Sequence, residues 1–317
     1  MSHLDASLKV KVQVTNPGHF FACCGLLEIA HRIWPGAEGW FGEKSGFLLT
    51  AATTGTGPDI DGILLECLRH MQLSGLSDDE QKERQTLEQE KRTLKRQRKG
   101  LAEDKEVRLK QLGELARGGR LQVRAPDHAS YAFSLDLDWW RGADEAVPKT
   151  WAGLQEVHKV ARAAQDALSA AGETTSILDH ACVLRLPAEY RRARTGRNDA
   201  VEPFYFDARR FGHALDVGFS LDAIGADTVA HPAVELLALI GLQRFRPKVV
   251  PSREPKVKAR VEYSTWHRPL GVAVAAAAAC GAAHVPGCQR FRFNILARDD
   301  QKRYGAFGWA TAIGGES

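Results

Sequence analysis

The stretch TNPGHFFACCGLLEIAHRIWPGAEGWF, Thr15 to Phe41, decides how the rest of the chain is read. Asn16-Pro17-Gly18 is a turn signal. It leads out of Leu8–Val14, LKVKVQV, where apolar and polar residues alternate as in a half-buried strand. Phe20 to Ile33 then reads as a helix, with Leu26, Leu27, Ile29, Ala30 and Ile33 on its apolar face, and Pro35-Gly36 stops it. Cys23 and Cys24, being adjacent, point in different directions from a helix or a strand. They read as small residues that permit close packing rather than as a ligand pair. Trp34, Trp40 and Phe41 finish the same core. The stretch is therefore expected to be a helix laid across a sheet, and not a catalytic or metal site.

Working outward, Trp40–Thr50 reads as a strand pair and Ile60–Met71 as a second helix. Leu121–Trp140 holds two strands and Thr150–Ala171 an amphipathic helix. Ser176–Leu186 is ambiguous, and Glu202–Ser220 reads as short strands. His231–Phe245 contains AVELLALIGL, a nearly all-apolar centre that implies deep burial. Val257–Tyr263 and Gln289–Leu296 alternate as strands, and Tyr304–Ile313 suggests a final hairpin. The order predicts an α+β fold, with a mixed or antiparallel sheet and helices packed on one face. Residues 1–77 form an N-terminal α+β part and residues 118–317 the remainder of the body, with a basic C-terminal half. Between them, 78–117 carries 12 basic and 10 acidic side chains. Leu87, Leu94 and Leu101 recur every seven residues, but the other seam positions are polar, so a coiled coil is not predicted. The segment reads as a solvated helix, or a helical hairpin turning near Gly100. It is either a charged surface insertion or an arm that meets a partner.

The 317 residues, 44% hydrophobic and 26% charged, have a globular composition with room for two modest cores or one core with insertions. The longest apolar run, Gly271–Gly281, is too short and alanine-rich to span a bilayer. The N-terminus has no signal pattern, so a cytoplasmic protein without membrane partners is expected. None of the six cysteines forms a C-x-x-C pair, and a zinc site would need distant residues; no metal or cofactor is predicted. No phosphate-binding loop, nucleophile elbow, zinc-protease helix or dinucleotide fingerprint is intact. Asp207, His213 and Asp216 form a candidate metal or acid–base cluster. Against it, Arg209 and Arg210 follow Asp207 and can pair with it.

Charge distribution is more informative than the net +4. Leu121 to His180 holds nine acidic and five basic residues, whereas Gln243 to Arg268 holds eight basic and two acidic. A concentrated positive field favours a polyanionic partner, most often nucleic acid. Arg191, Arg192, Arg194 and Arg197 lie within seven residues with no acid between them, and arginine forks match phosphate. Arg209 and Arg210 join them as nucleic-acid-binding candidates. Lys256, Lys258 and Arg260 alternate along a predicted strand and so share a face. Trp266, after Tyr263, is a candidate for base stacking or a core residue.

NPGHFFACCGLLEIAHRIWPGAEGWF, PFYFDARRFGHALDVGFS, ELLALIGLQRFRP and VEYSTWHRPL together resemble a CRISPR-associated family of the type I-G systems, formerly I-U, the smaller of two large-subunit-type families linked to them. The resemblance covers both ends of the chain but not 78–117. It implies a non-enzymatic subunit of an RNA-guided surveillance complex in antiviral defence. Its partners would be CRISPR RNA or target DNA, other effector subunits, and a separate helicase-nuclease recruited by the complex. The shared motifs carry no active site, and no functional residue is transferred from them. A nuclease or RNA-processing enzyme, and a protein-only scaffold using the charged arm, are the competing readings.

Overall fold

The computed structural model describes residues 6–42, 46–51, 59–141, 147–152, 156–171, 177–187, 199–210 and 227–314. Its elements run β1 (Leu8–Lys11), α1 (Pro17–Ile33), β2 (Glu38–Gly42), β3 (Gly46–Thr50), α2 (Ile60–His70), β4 (Gln72–Ser74), α3 (Asp78–Arg96), α4 (Glu103–Gly118), β5 (Leu121–Arg124) and β6 (Ser134–Leu137). They continue with α5 (Val157–Ala170), β7 (Cys182–Val183), β8 (Val229–Ala230), α6 (Pro232–Arg244), β9 (Lys248–Pro251), β10 (Val257–Thr265), β11 (Leu270–Gly271), α7 (Val272–Ala279), β12 (Gln289–Ala297), β13 (Gly305–Phe307) and β14 (Thr311–Ile313). The strands form antiparallel sheets: β1-β3-β2-β11, β4-β5-β6, the pair β7-β8, and a five-stranded sheet ordered β13-β12-β10-β9 with β14 also on β12. This is the α+β class that the sequence predicts.

Asn16-Pro17-Gly18 is not a free turn but the start of α1. The Asn16 side chain accepts from Gly18 N at 3.0 Å and Pro17 takes the first helical position, so the helix begins three residues earlier than expected. All fourteen residues from Pro17 to Ala30 are buried. Trp34 N bonds Ala30 O at 2.7 Å, and Gly36 turns the chain away at φ +93°. One face of α1 meets the five-stranded sheet: Phe20 stacks on Tyr263 and Phe21 touches Phe293 and Phe307. Phe20 also stacks on Phe41, whose strand belongs to the first sheet.

Another face of α1 meets α6, which is buried continuously from Pro232 to Leu242. Both helices carry a glycine at the contact. A Cβ on Gly25 would lie 2.0 Å from the Leu237 carbonyl oxygen, and one on Gly241 would lie 2.2 Å from that of Phe21. Glycine is required here because one backbone rests against the other. The helices run parallel. Glu28, buried toward the end of α1, binds Arg244 of the last turn of α6, 216 residues away, while both N-termini converge on Asp207.

Several expectations are revised. Thr150 and Trp151 are not helical: Thr150 O accepts from Gly305 N at 2.6 Å and Trp151 joins an aromatic cluster with Trp139, Trp140, Phe204 and Phe206, so α5 begins only at Val157. The described part of Glu202–Ser220 forms no strand and ends in a 3-10 turn at Ala208–Arg210. β13 and β14 do not pair with each other; both add to β12, at Ile295↔Phe307 and Arg292↔Thr311. Residues 78–117 form the hairpin alternative, α3 and α4, with Ser77 and Glu80 closing a capping box at its entry.

Candidate nucleic-acid interface

Among the described residues, α1 covers one face of the five-stranded sheet. Tyr263, Phe291, Phe293 and Phe307 point inward beneath α1. Register decides what lies on the other face. Glu262 pairs with Lys248 on one side and Arg292 on the other; Arg260 pairs with Val250 and Asn294; Ser264 pairs with Arg290. Among the described residues the outward row therefore collects Lys248, Arg260, Arg290 and Arg292 from three strands, with Glu262 as its one carboxylate; Lys258, at the irregularity between Val257 and Ala259, joins them by the alternation of burial along β10. Glu262 is held below the usual carboxylate range, chiefly by its hydrogen bond from Arg292, against the opposing effect of burial, with Arg290 also bound to it. Arg260 pairs with Glu254 in the β9–β10 connection, and Lys258 Nζ donates to the carbonyls of Lys149 and Arg303. From Arg244 to Arg303 the chain holds 13 basic and 4 acidic residues. Such a face attracts phosphate through charge and arginine forks.

The predicted residues divide across this picture. Lys258 and Arg260 lie on the face; Lys256 precedes the strand, exposed, with φ +61°, so the expected run of three on one face contracts to two. Arg191, Arg192, Arg194 and Arg197 lie outside the described residues, as do His213 and Asp216, and so does the Arg210 side chain. Trp266 is a correction. Its ring is fully buried, edge-on to Phe20 and Phe41 and stacked on Phe245, and its Nε1 donates to Gly39 O at 2.7 Å. No ring face remains for a base. Sequence reasoning does not single out Lys248, Arg290 or Arg292. Their signal was the alternation QRFRFN in Gln289–Asn294, which places both arginines opposite the phenylalanines.

Arg209 is likewise drawn inward. It is bidentate on buried Asp207, with Nη2–Oδ2 2.7 Å, and reaches Asp179 at 3.1 Å. Asp207 Oδ1 accepts from Asn16 Nδ2 at 2.8 Å and from Arg209 N at 2.9 Å, and His231 Nδ1 stands 2.8 Å from Oδ2. Burial opposes ionisation of Asp207, but His231 and Arg209 outweigh it and hold the carboxyl far below its ordinary range. The N-termini of α1 and α6 add their dipoles in the same sense. Glu235, one turn into α6, behaves oppositely. Burial, and then the charge on Asp207, push it up to about 8, while it accepts from Phe206 N and Asp207 N. His19 is lowered to about 4 by burial and by Arg209. Its Nδ1 accepts from Gln13 N at 3.2 Å.

Apart from His19, whose Nε2 has no hydrogen-bond partner among the described residues, these groups serve one another. Asp207 pins the 3-10 turn, the α1 cap and the α6 start together, and its lone pairs are taken. Among the described residues no three His, Cys, Asp or Glu side chains form a metal-holding group, and Cys23, Cys24 and Cys67 are buried free thiols whose burial raises them. No described helix is long and apolar enough to cross a membrane. Comparison with models of known protein families and with curated proteins finds no match to this chain.

Proposed function

We propose that this chain is a non-catalytic nucleic-acid-binding subunit of an RNA-guided type I CRISPR surveillance complex, holding guide RNA or target DNA by its phosphates. The observation that carries the nucleic-acid reading is the outer face of the five-stranded sheet, whose described strand positions hold five cations and one carboxylate, Glu262, with Arg260 paired to Glu254 beside the strands. The face has no aromatic side chain among its paired positions, because Tyr263, Phe291 and Phe293 all face inward. Its chemistry suits sequence-independent backbone contact rather than base readout. The assignment to a CRISPR complex rests on the sequence resemblance. The non-catalytic part is supported by Asp207 and His231, which are engaged in holding helix termini.

The test is salt-dependent binding. Lys248, Arg260, Arg290 and Arg292 are replaced together by Gln, and the log–log salt slope is compared with the parent chain. Each phosphate contact contributes about 0.7 for single strands and about 0.9 for a duplex, so the slope should become shallower by roughly two to four. A parent chain that binds no nucleic acid at low salt overturns the reading. Cleavage of labelled RNA or DNA by the purified chain overturns its non-catalytic part.

A further inference from the structure

The hairpin α3–α4 lies outside the resemblance, and its charges are not scattered. Along the shaft four acids are paired, while among the described residues Glu103 and Asp104, in the first turn of α4, and Glu114 have no ion pair. Arg108 is bidentate on Glu83, at 2.9 and 2.7 Å; Lys105 binds both oxygens of Glu90, at 2.6 and 2.8 Å; Lys91 binds Glu106 at 2.8 Å; and Arg84 binds Glu88 within α3 at 3.0 Å. Leu87, Leu101 and Leu112 are buried, and this ladder closes over the seam.

The tip is different. RTLKRQRK, Arg92 to Lys99, holds five cations and no acid, and all five are exposed. Among the described residues Arg92, Lys95, Arg96, Arg98 and Lys99 have no ion pair. Arg92, Lys95 and Arg96 fall at i, i+3 and i+4, one face of α3. The helix dipole accounts for Lys95 and Arg96, which occupy the last turn. It does not account for Arg98 and Lys99, which lie beyond the helix. Arg98 adopts φ +57°, and Lys99 N returns to Leu94 O at 2.9 Å to end the helix. That left-handed position is ordinarily glycine's, and Gly100 stands only two residues on. The chain thus accepts backbone strain and mutual repulsion to display this arginine.

We infer that the hairpin tip, Arg92 to Lys99, is a second phosphate-binding contact, separate from the sheet face and carried at the end of α3, about 28 Å from its start. The partner is a nucleic-acid backbone rather than a protein. Protein contacts are organised around apolar or aromatic anchors, and the tip has none exposed: Leu94 is half-buried, Leu101 is buried, and exposed Val107 and Leu115 lie on the α4 shaft. The inference rests on the proposed nucleic-acid reading.

The full chain is titrated with labelled single-stranded DNA, single-stranded RNA and duplex DNA over a range of salt. Arg92, Lys95, Arg96 and Lys99 are changed together to Gln; a second variant carries only Arg98→Gln and Lys99→Gln, and a third Arg92→Lys and Arg96→Lys. The four-fold variant should lower the salt slope by about two to four units, the double variant by about one to two, and the charge-preserving variant not at all. Circular dichroism should show the hairpin helices retained in each. The three probes identify which nucleic acid the tip prefers. An unchanged slope in the four-fold and double variants, with the sheet-face variant still reducing it, overturns the tip contact alone. Loss of assembly with other effector subunits while nucleic-acid affinity stays intact also overturns it, and makes the tip a protein contact. A parent chain that binds none of the probes overturns both readings.

Discussion

Replacing Gly25 by alanine adds one methyl group where the two buried helices are closest. Its Cβ would fall 2.0 Å from the Leu237 carbonyl oxygen, 2.8 Å from its carbon and 3.1 Å from Gly241 N. A comfortable carbon–oxygen approach is about 3.3 Å, so the shortfall is roughly 1.3 Å. All three atoms are backbone, so no rotamer change relieves the clash. α1 must move off α6, and the aromatic contacts beneath it move too. Forcing a methyl group into a close-packed core costs about 1–3 kcal/mol, and here side chains cannot share the adjustment, which puts the cost at the upper end or above. Alanine recovers about 1 kcal/mol of helix propensity. The net expectation is a loss of at least about 2 kcal/mol, a large fraction of a typical total stability of about 5–15. Urea unfolding should show a midpoint lowered by about 1 M at an unchanged slope. Gly100→Ala, with nothing within 4 Å of the added carbon, is the control and should stay within about 0.5 kcal/mol. A Gly25→Ala chain as stable as the parent, or more stable, would refute the close crossing of α1 and α6.

Glu235→Gln should alter the pH dependence of stability. In the folded chain Glu235 keeps its proton up to about 8, whereas the unfolded chain releases it near 4.3, so the parent loses stability as pH rises between those values, by about 1.4 kcal/mol per pH unit. His19, lowered to about 4, acts in the opposite sense and only below about 6.5, so denaturation at pH 6.5 and 8 isolates Glu235. The variant should gain about 2 kcal/mol on the parent across that window, and parallel pH profiles would exclude a protonated Glu235. Trp266→Ala should cost about 3–5 kcal/mol in thermal or urea unfolding. A variant that folds normally but binds nucleic acid less well would return Trp266 to the binding surface.

Helix and strand identities were largely legible, because β10 and β12 alternate over long segments and α1 and α6 are apolar runs too long for buried strands. What escaped the sequence depends on partners far along the chain. Thr150 and Trp151 fit a helical pattern, yet Gly305 and the tryptophan cluster take them. Arg209 looks like a phosphate ligand until Asp207, His231 and Asn16 come together around it. Trp266 follows a basic strand, and only the folding of β2 and α1 over it shows that it is core. The sheet face needed the register of β9, β10 and β12, which joins cations from three separated segments. The hairpin tip was the reverse case. Its five cations fall within eight residues, but their significance appears only once the shaft's pairing partners are known.

The α1–α6 crossing also has a consequence for synthesis. The two halves of the contact are 216 residues apart, as the Glu28–Arg244 pair records. At about 5–20 residues per second, α1 waits roughly 10–40 s on the ribosome before its partner exists. During that interval its run of fourteen core residues has no permanent cover, and loop closure over such a distance is slow. Chains stalled before Pro232 should therefore bind chaperones or aggregate, while chains extended past Phe245 and clear of the exit tunnel should not. Equal solubility at both lengths would show that the sheets alone shelter α1. The order of manufacture makes α6 the guardian of a helix made long before it.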